Sequence, residues 1–384
     1  MSTASVTRGV RSGAVSAPSY GRARLWLGIS AVGSVVVLAA AALAIDAPGA
    51  LTSAIAHPIG ALGAFIGACA LLHLPFDILG GYLLPRRHGR AHPVAPAFVI
   101  GLLRGAVLHA AMLFGTACLL LLAGRIGGFA LTVAAGCAAA LLLLVLQEPI
   151  ARLLAPMRVT RTDSDGARAV VLVSSSDEGF TGAVTGVFRA RRIIMPDRWR
   201  ETLRERGFAI ALRRRRIAID SGAWRRGRLV AFAFTGAGLL ISALLAGPER
   251  MGTAEGVMRL SLFFTLWTFA GLLTLPTLSR AAVASIDAQL RDTVDDEAEV
   301  DAVIDRLDTL QDAEPERPRL VETIFHPVPS VTNRQRGRDT APLRAAWNVA
   351  RSSVYLSWAG VGLLGRAVHC NCGRPALWVF LPTD

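Results

Sequence analysis

Lysine is absent from this chain: all 41 basic residues among its 384 are arginine. Apart from seven histidines, its positive charge therefore sits on guanidinium groups that cannot be deprotonated. Acidic residues are missing from residues 1–24, which carry Arg8, Arg11, Arg22 and Arg24 in a Ser-, Ala- and Gly-rich background. A disulfide framework is excluded as well. Of the five cysteines, Cys69, Cys118 and Cys137 fall inside long apolar runs and read as small apolar fillers. The apolar runs contain few charges and show no internal repeat, which argues against a small transporter.

What is abundant is hydrophobic sequence. At 53% hydrophobic residues and a mean hydropathy of +0.47, the chain is too apolar for an ordinary soluble protein and has several runs long enough to span a bilayer. Its formal charge is +13. The arginines lie between hydrophobic runs and are not interleaved with exposed aromatics, so membrane topology explains them better than nucleic acid, which we exclude as a partner. The bilayer is the expected partner.

In order, residues 1–24 read as a disordered basic leader and residues 25–150 as four transmembrane helices, the last two a tight hairpin. Ala42-Leu43-Ala44 resembles a signal-peptidase site, but a twenty-residue span after a long leader favours an uncleaved anchor. Residues 151–228 are basic and mixed, with strands expected at 169–173 and 184–194 and one amphipathic helix over 199–221. Residues 229–275 form a second transmembrane hairpin. Residues 276–351 comprise a polar helical region, acidic in its second half, and a Pro/Arg-rich linker from 315 to 338. For the apolar segment at 352–384, broken by Arg366, three courses are open: crossing the membrane as a seventh span, lying at the interface, or packing on the bundle.

The arginine-rich segments alternate with arginine-poor turns, which puts both large polar segments on one, cytoplasmic side. The expected fold class is mainly α: a polytopic helical membrane protein with a small cytoplasmic α+β domain built from two chain segments. The expected location is a bacterial inner membrane, with the N-terminus cytoplasmic.

This order of parts resembles the membrane zinc metallopeptidases of the HtpX-type heat-shock protease and CAAX prenyl endopeptidase family. Gly182-Ala183-Val184-Thr185-Gly186 followed by Arg191-Arg192-Ile193-Ile194-Met195 is similar to that family's N-A-F-x-T-G strand and the segment after it. Ser279-Arg280 with Asp287 is similar to its S-R-x-x-E-x-x-x-D helix, and His326-Pro327 to its H-P element. In the family an arginine stands six positions after that histidine; here the position is Thr332, and Arg334 comes two later.

The resemblance places Arg214, Arg215 and Ala218 where the family has His, Glu and His, and Val283 where it has the glutamate ligand. Only Asp287 and His326 are retained. Two histidines at i and i+4 chelate Zn²⁺ while the glutamate takes a proton from bound water, whereas a guanidinium repels the metal. No other His-Glu-x-x-His occurs. The resemblance thus implies a degenerate member without zinc ligands, catalytic residues or cofactor, acting as a scaffold or binding protein. The alternatives are a membrane endopeptidase or other hydrolase with non-standard catalytic residues, and a transporter.

Other candidates are weighed against plainer readings. Arg213, Arg216, Arg225 and Arg226, just before a span, form an anion-site candidate for acidic lipid headgroups or an acidic protein partner, or else a solvated topogenic face. Carboxylates for the cluster are expected from Asp287 or the Asp295-Asp296-Glu297 run. His73 and Asp77, at i and i+4 within a span, read as a structural polar bridge, with Arg86 or Arg104 as the expected partner of Asp77. His369, Cys370 and Cys372 are weak metal-ligand candidates with no evident fourth ligand.

Overall fold

The structure, a computed structural model, describes residues 18–165, 168–186, 191–336 and 346–382. Helix α1 (Tyr20–Ala44) leads through the short α2 (Ala47–Ala54) to α3 (Pro58–Ile78), which continues through a π turn (Leu79–Leu83) into α4 (Leu84–Arg87). Next come α5 (Ala95–Val145) and α6 (Gln147–Leu154). Among the described residues, five helices are long and apolar enough to cross a membrane: α1, α3 with α4, α5, α9 (Ala223–Ala246), and α10 (Ala254–Thr274) with its continuation.

Straight, the 51 residues of α5 would extend about 75 Å. Yet Arg104 Nε donates to Leu153 O at 2.9 Å and its guanidinium reaches Arg152 O at 3.3 Å. The chain must reverse between them. It does so at Gly127 (φ −137°, ψ 18°) and Gly128 (φ 60°, ψ −148°), the second a conformation open in practice only to glycine. Residues 95–126 and 129–145 are therefore two legs of one hairpin.

The polar part contains strands β1 (Arg158–Asp165), β2 (Arg168–Ser174), β3 (Ala183–Thr185) and β4 (Arg192–Pro196) in sheet order β1-β2-β4-β3. Only the β2–β4 pairing is parallel. The sequence suggested one strand over 184–194; there are two, antiparallel, with residues 187–190 outside the described region. Strand β1, all polar apart from Val159, gave no apolar alternation to read.

The single helix expected over 199–221 is broken into α7 (Trp199–Thr202) and α8 (Arg204–Asp220), because Arg204 takes φ 57°. After α9 and α10 come α11 (Pro276–Arg291), α12 (Glu297–Gln311), α13 (Arg319–Phe325) and α14 (Val331–Arg336). The last two lie within the stretch read as a linker. One apolar core joins the pieces: Val170, Leu172, Ile193 and Met195 from the sheet meet Phe208 and Ala218 of α8, Val283 and Ile286 of α11, and Ile304 of α12.

Residues 349–382 make no membrane-length helix. They form α15 (Val349–Leu356) and three 3₁₀ turns at Ser357–Gly360, Leu363–Gly365 and Pro375–Leu377, packed almost wholly buried among the spans. Irregular backbone at membrane depth is stable only where protein satisfies its polar groups. Here Ser261 Oγ donates to Val361 O at 2.7 Å, Leu363 N donates to Thr265 Oγ1 at 3.2 Å, and Gly373 N donates to Asp77 Oδ1 at 2.7 Å.

Candidate functional site

Helices α8 and α11 lie side by side. Arg214 Nε donates to Asp287 Oδ1 at 2.7 Å; Arg334, on α14, donates from Nε to Oδ2 at 2.6 Å and from its terminal nitrogen to Oδ1 at 3.0 Å. All three side chains are buried, with relative exposures of 3% for Arg214, 1% for Asp287 and 6% for Arg334. Val283 and Asp287 share a face of α11 at i and i+4, as Arg214 and Ala218 do on α8. The result is an ionic cluster beside an apolar patch containing Ala218 and Val283, each 1% exposed.

Arg215 serves another face of α8. It is fully buried, donates to Ile194 O of β4 and to Thr181 O in the loop before β3, and lies 5.4 Å from the Trp199 ring centroid. It thereby fastens α8 to the sheet. Arg280 performs a similar task on α11, donating to Glu322 O, Thr323 O and His326 O at 3.0, 2.7 and 3.0 Å, carbonyls at the end of α13.

Helix α10, at 21 residues, is long enough to cross a bilayer, so Asp287 lies about 18 Å beyond its end along α11. Burial alone would raise its pKa. The flanking Arg334 and Arg214 override that and hold the carboxyl at about 2, so it is ionised throughout the physiological range. Both its oxygens are engaged.

The four positions that the resemblance assigns to zinc chemistry hold two guanidinium groups, a methyl and an isopropyl group. None offers a lone pair to a metal. These residues do not fit a zinc ion. Among the described residues, no group of three or more His, Cys, Asp or Glu side chains could hold a metal ion.

The remaining candidates separate by environment. Arg213 and Arg225 are exposed, while Arg216 and Arg226 are half-buried. Within the acidic run, Asp296 caps α12, accepting from Ala298 N at 2.9 Å. His326 is buried with its ring 5.3 Å from that of His369; burial, then the neighbouring Arg317 and His369, push its pKa well below the ordinary imidazole range. Cys370 and Cys372 turn their thiols to different partners, Asn371 Oδ1 at 3.3 Å and Ala367 O at 3.4 Å. Asp77 pairs with neither Arg86 nor Arg104. Its partner is Arg366, buried inside the bundle, and Arg104 is occupied by backbone carbonyls.

Arg334 is the site residue that motif reasoning missed. The spacing rule pointed to Thr332, but α14 turns the arginine two residues later towards Asp287. The signal available in the sequence was only the presence of a nearby arginine.

No protein-family model matches the chain, and neither does any curated protein. Among solved structures, the crystal structure of S. mikatae Ste24p aligns with a TM-score of 0.65 at 13% identity, covering 83% of this chain and 87% of that one. Ste24p is a CAAX prenyl endopeptidase zinc metalloprotease. What the two chains share is the fold.

Proposed function

We propose that this chain is a metallopeptidase-like integral membrane protein without zinc peptidase chemistry, acting as a scaffold or binding protein at the cytoplasmic face. One observation carries the reading: Arg214, at a position given to a zinc-binding histidine, is tied through its guanidinium to Asp287. A cation already neutralised by a buried carboxylate leaves neither charge nor space for a metal. The cytoplasmic orientation rests on the distribution of arginine. The polar segments 151–228 and 276–351 then form one domain, and its exposed Arg213 and Arg225 are suited to acidic lipid headgroups or an acidic partner.

The test is metal content of the detergent-purified full chain, with cleavage of an unfolded protein substrate measured with and without a chelator. We expect substoichiometric zinc and no chelator-sensitive cleavage. Stoichiometric zinc with chelator-sensitive proteolysis would overturn the reading.

A further inference from the structure

A cavity of about 360 Å³ opens at the arginine-rich end of the bundle, with none of Arg214, Asp287 and Arg334 in its lining. Its volume falls in the range of small-molecule sites. One wall is the first two turns of α5, where Phe98 and Leu102 are buried and Gly101 lies between them. On the same helix Val99, Ile100 and Leu103 are 49%, 68% and 52% exposed, as expected of a lipid-facing surface, so the apolar wall adjoins the bilayer.

The rest of the lining includes Arg90, Asp177, Glu178 and Arg374, whose charges are unequally used. Arg374 is spent on Asp177, donating from Nε at 2.8 Å and again from a terminal nitrogen. Arg90 lies 5.0 Å from the Tyr20 ring centroid and donates to Thr309 O at 2.9 Å. Among the described residues neither Arg90 nor Glu178, both lining the cavity, forms an ion pair. A partly enclosed site thus offers a cation, Arg90, that meets no described carboxylate, a carboxylate, Glu178, whose neighbouring guanidinium of Arg198 donates to the Glu178 backbone carbonyl, and an apolar wall running into the membrane.

We propose that this cavity binds a zwitterionic amphiphile, of the phosphatidylethanolamine class, from the adjoining leaflet. Arg90 takes the phosphate, Glu178 takes the ammonium, and the face of α5 around Phe98 and Leu102 takes the start of an acyl chain. The site is independent of the zinc question, since it shares no residue with the Asp287 cluster.

Gly101 supplies the decisive variant. A Cβ built on this lining residue meets nothing within 4 Å, so the first atom of a side chain is accommodated there without a clash. The full chain, delipidated in detergent, is titrated with dihexanoyl phosphatidylethanolamine, dihexanoyl phosphatidylglycerol and chain-free glycerophosphoethanolamine, with occupancy read by native mass spectrometry. The expected result is one ethanolamine lipid per chain, bound about tenfold more tightly than the glycerol lipid. Glu178→Gln should erase that preference, and Arg90→Gln should weaken both lipids. Gly101→Leu and Gly101→Phe should lower binding in that order without lowering Tm. Equal binding of the two lipids, glycerophosphoethanolamine binding as tightly as its lipid, or full binding by folded Gly101→Phe would each overturn the proposal.

Discussion

Replacing Asp287 with asparagine keeps the shape of the side chain and removes the charge between two buried arginines. Each arginine–carboxylate attraction is worth about 4 kcal/mol at an effective dielectric constant near 20. Desolvation of the ions cancels much of that in the native state, but it is not recovered when only the anion is deleted. Two guanidinium groups, 3% and 6% exposed, would remain facing each other across an amide. Breaking a buried pair in this way costs about 3–5 kcal/mol. For a domain of this size that is a fall in Tm of roughly 6–20 °C, measured by tryptophan fluorescence of the purified full chain. Arg213→Gln, on the same helix but exposed, is the control and should cost less than about 1 kcal/mol. Converting all three positions together, Asp287→Leu with Arg214→Met and Arg334→Met, should harm less than Asp287→Asn alone, because no ion is stranded. A loss below about 1 kcal/mol for Asp287→Asn would refute the reasoning, since it would mean that the carboxylate does not neutralise both cations.

Further outcomes follow from other elements. Burial pushes the Asp308 carboxyl up to about 6, although Arg317, which it shares with Asp312, donates to it at 3.1 Å. The folded chain therefore keeps a proton that the unfolded chain loses near pH 4, so stability falls as pH rises from about 4 to 6 and levels off above. Asp308→Asn should remove that slope, worth roughly 1–3 kcal/mol, from a plot of Tm against pH. Arg366→Met strands Asp77 inside the bundle and should cost about 3–5 kcal/mol, most of it recovered when Asp77→Leu is added. Gly227→Ala would place a Cβ 1.9 Å from Trp347 O, a contact only a backbone shift relieves, and should cost about 2 kcal/mol or more in thermal unfolding.

Patterns that depend on local sequence were legible. The tight hairpin expected of the third and fourth spans is present and turns at Gly127 and Gly128, and the helix that the family resemblance implied over Ser279 to Asp287 is present as α11. The features that escaped reading depend on where distant segments end up. Asp77 and Arg366 are 289 residues apart, and nothing local distinguishes Arg366 from Arg86 as a partner. The break at Arg204 sets an arginine in a left-handed conformation that glycine or asparagine would normally announce. The proline-rich stretch from 315 lacks apolar periodicity, yet Arg280 and Asp287 reach into it and hold α13 and α14 in place.

The absence of lysine acquires a structural meaning in three carboxylates, the buried Asp77 and Asp287 and the half-buried Asp177. The acids meet Arg366, Arg374, and Arg214 with Arg334. At Asp177 and Asp287 a guanidinium spans both carboxylate oxygens, at Arg215 the two terminal nitrogens each take a backbone carbonyl, and at Arg280 one terminal nitrogen faces three carbonyls while the other donates to the Thr277 hydroxyl. An ammonium offers no planar fork, is more strongly hydrated, and shifts its pKa readily when buried, so a lysine in these places could shed the charge that the carboxylate needs. Such pairs add little net stability over apolar replacements, but each makes a mispaired packing expensive, because any other arrangement strands an ion. In a bundle whose interior is filled by irregular chain from 357 to 382, apolar contacts alone leave register loosely defined. The Asp77–Arg366 pair, with Gly373 N on the same carboxylate, fixes where that chain sits against α3. The Asp287 cluster does the same for α8, α11 and α14, using the ground where the peptidase resemblance would place a metal.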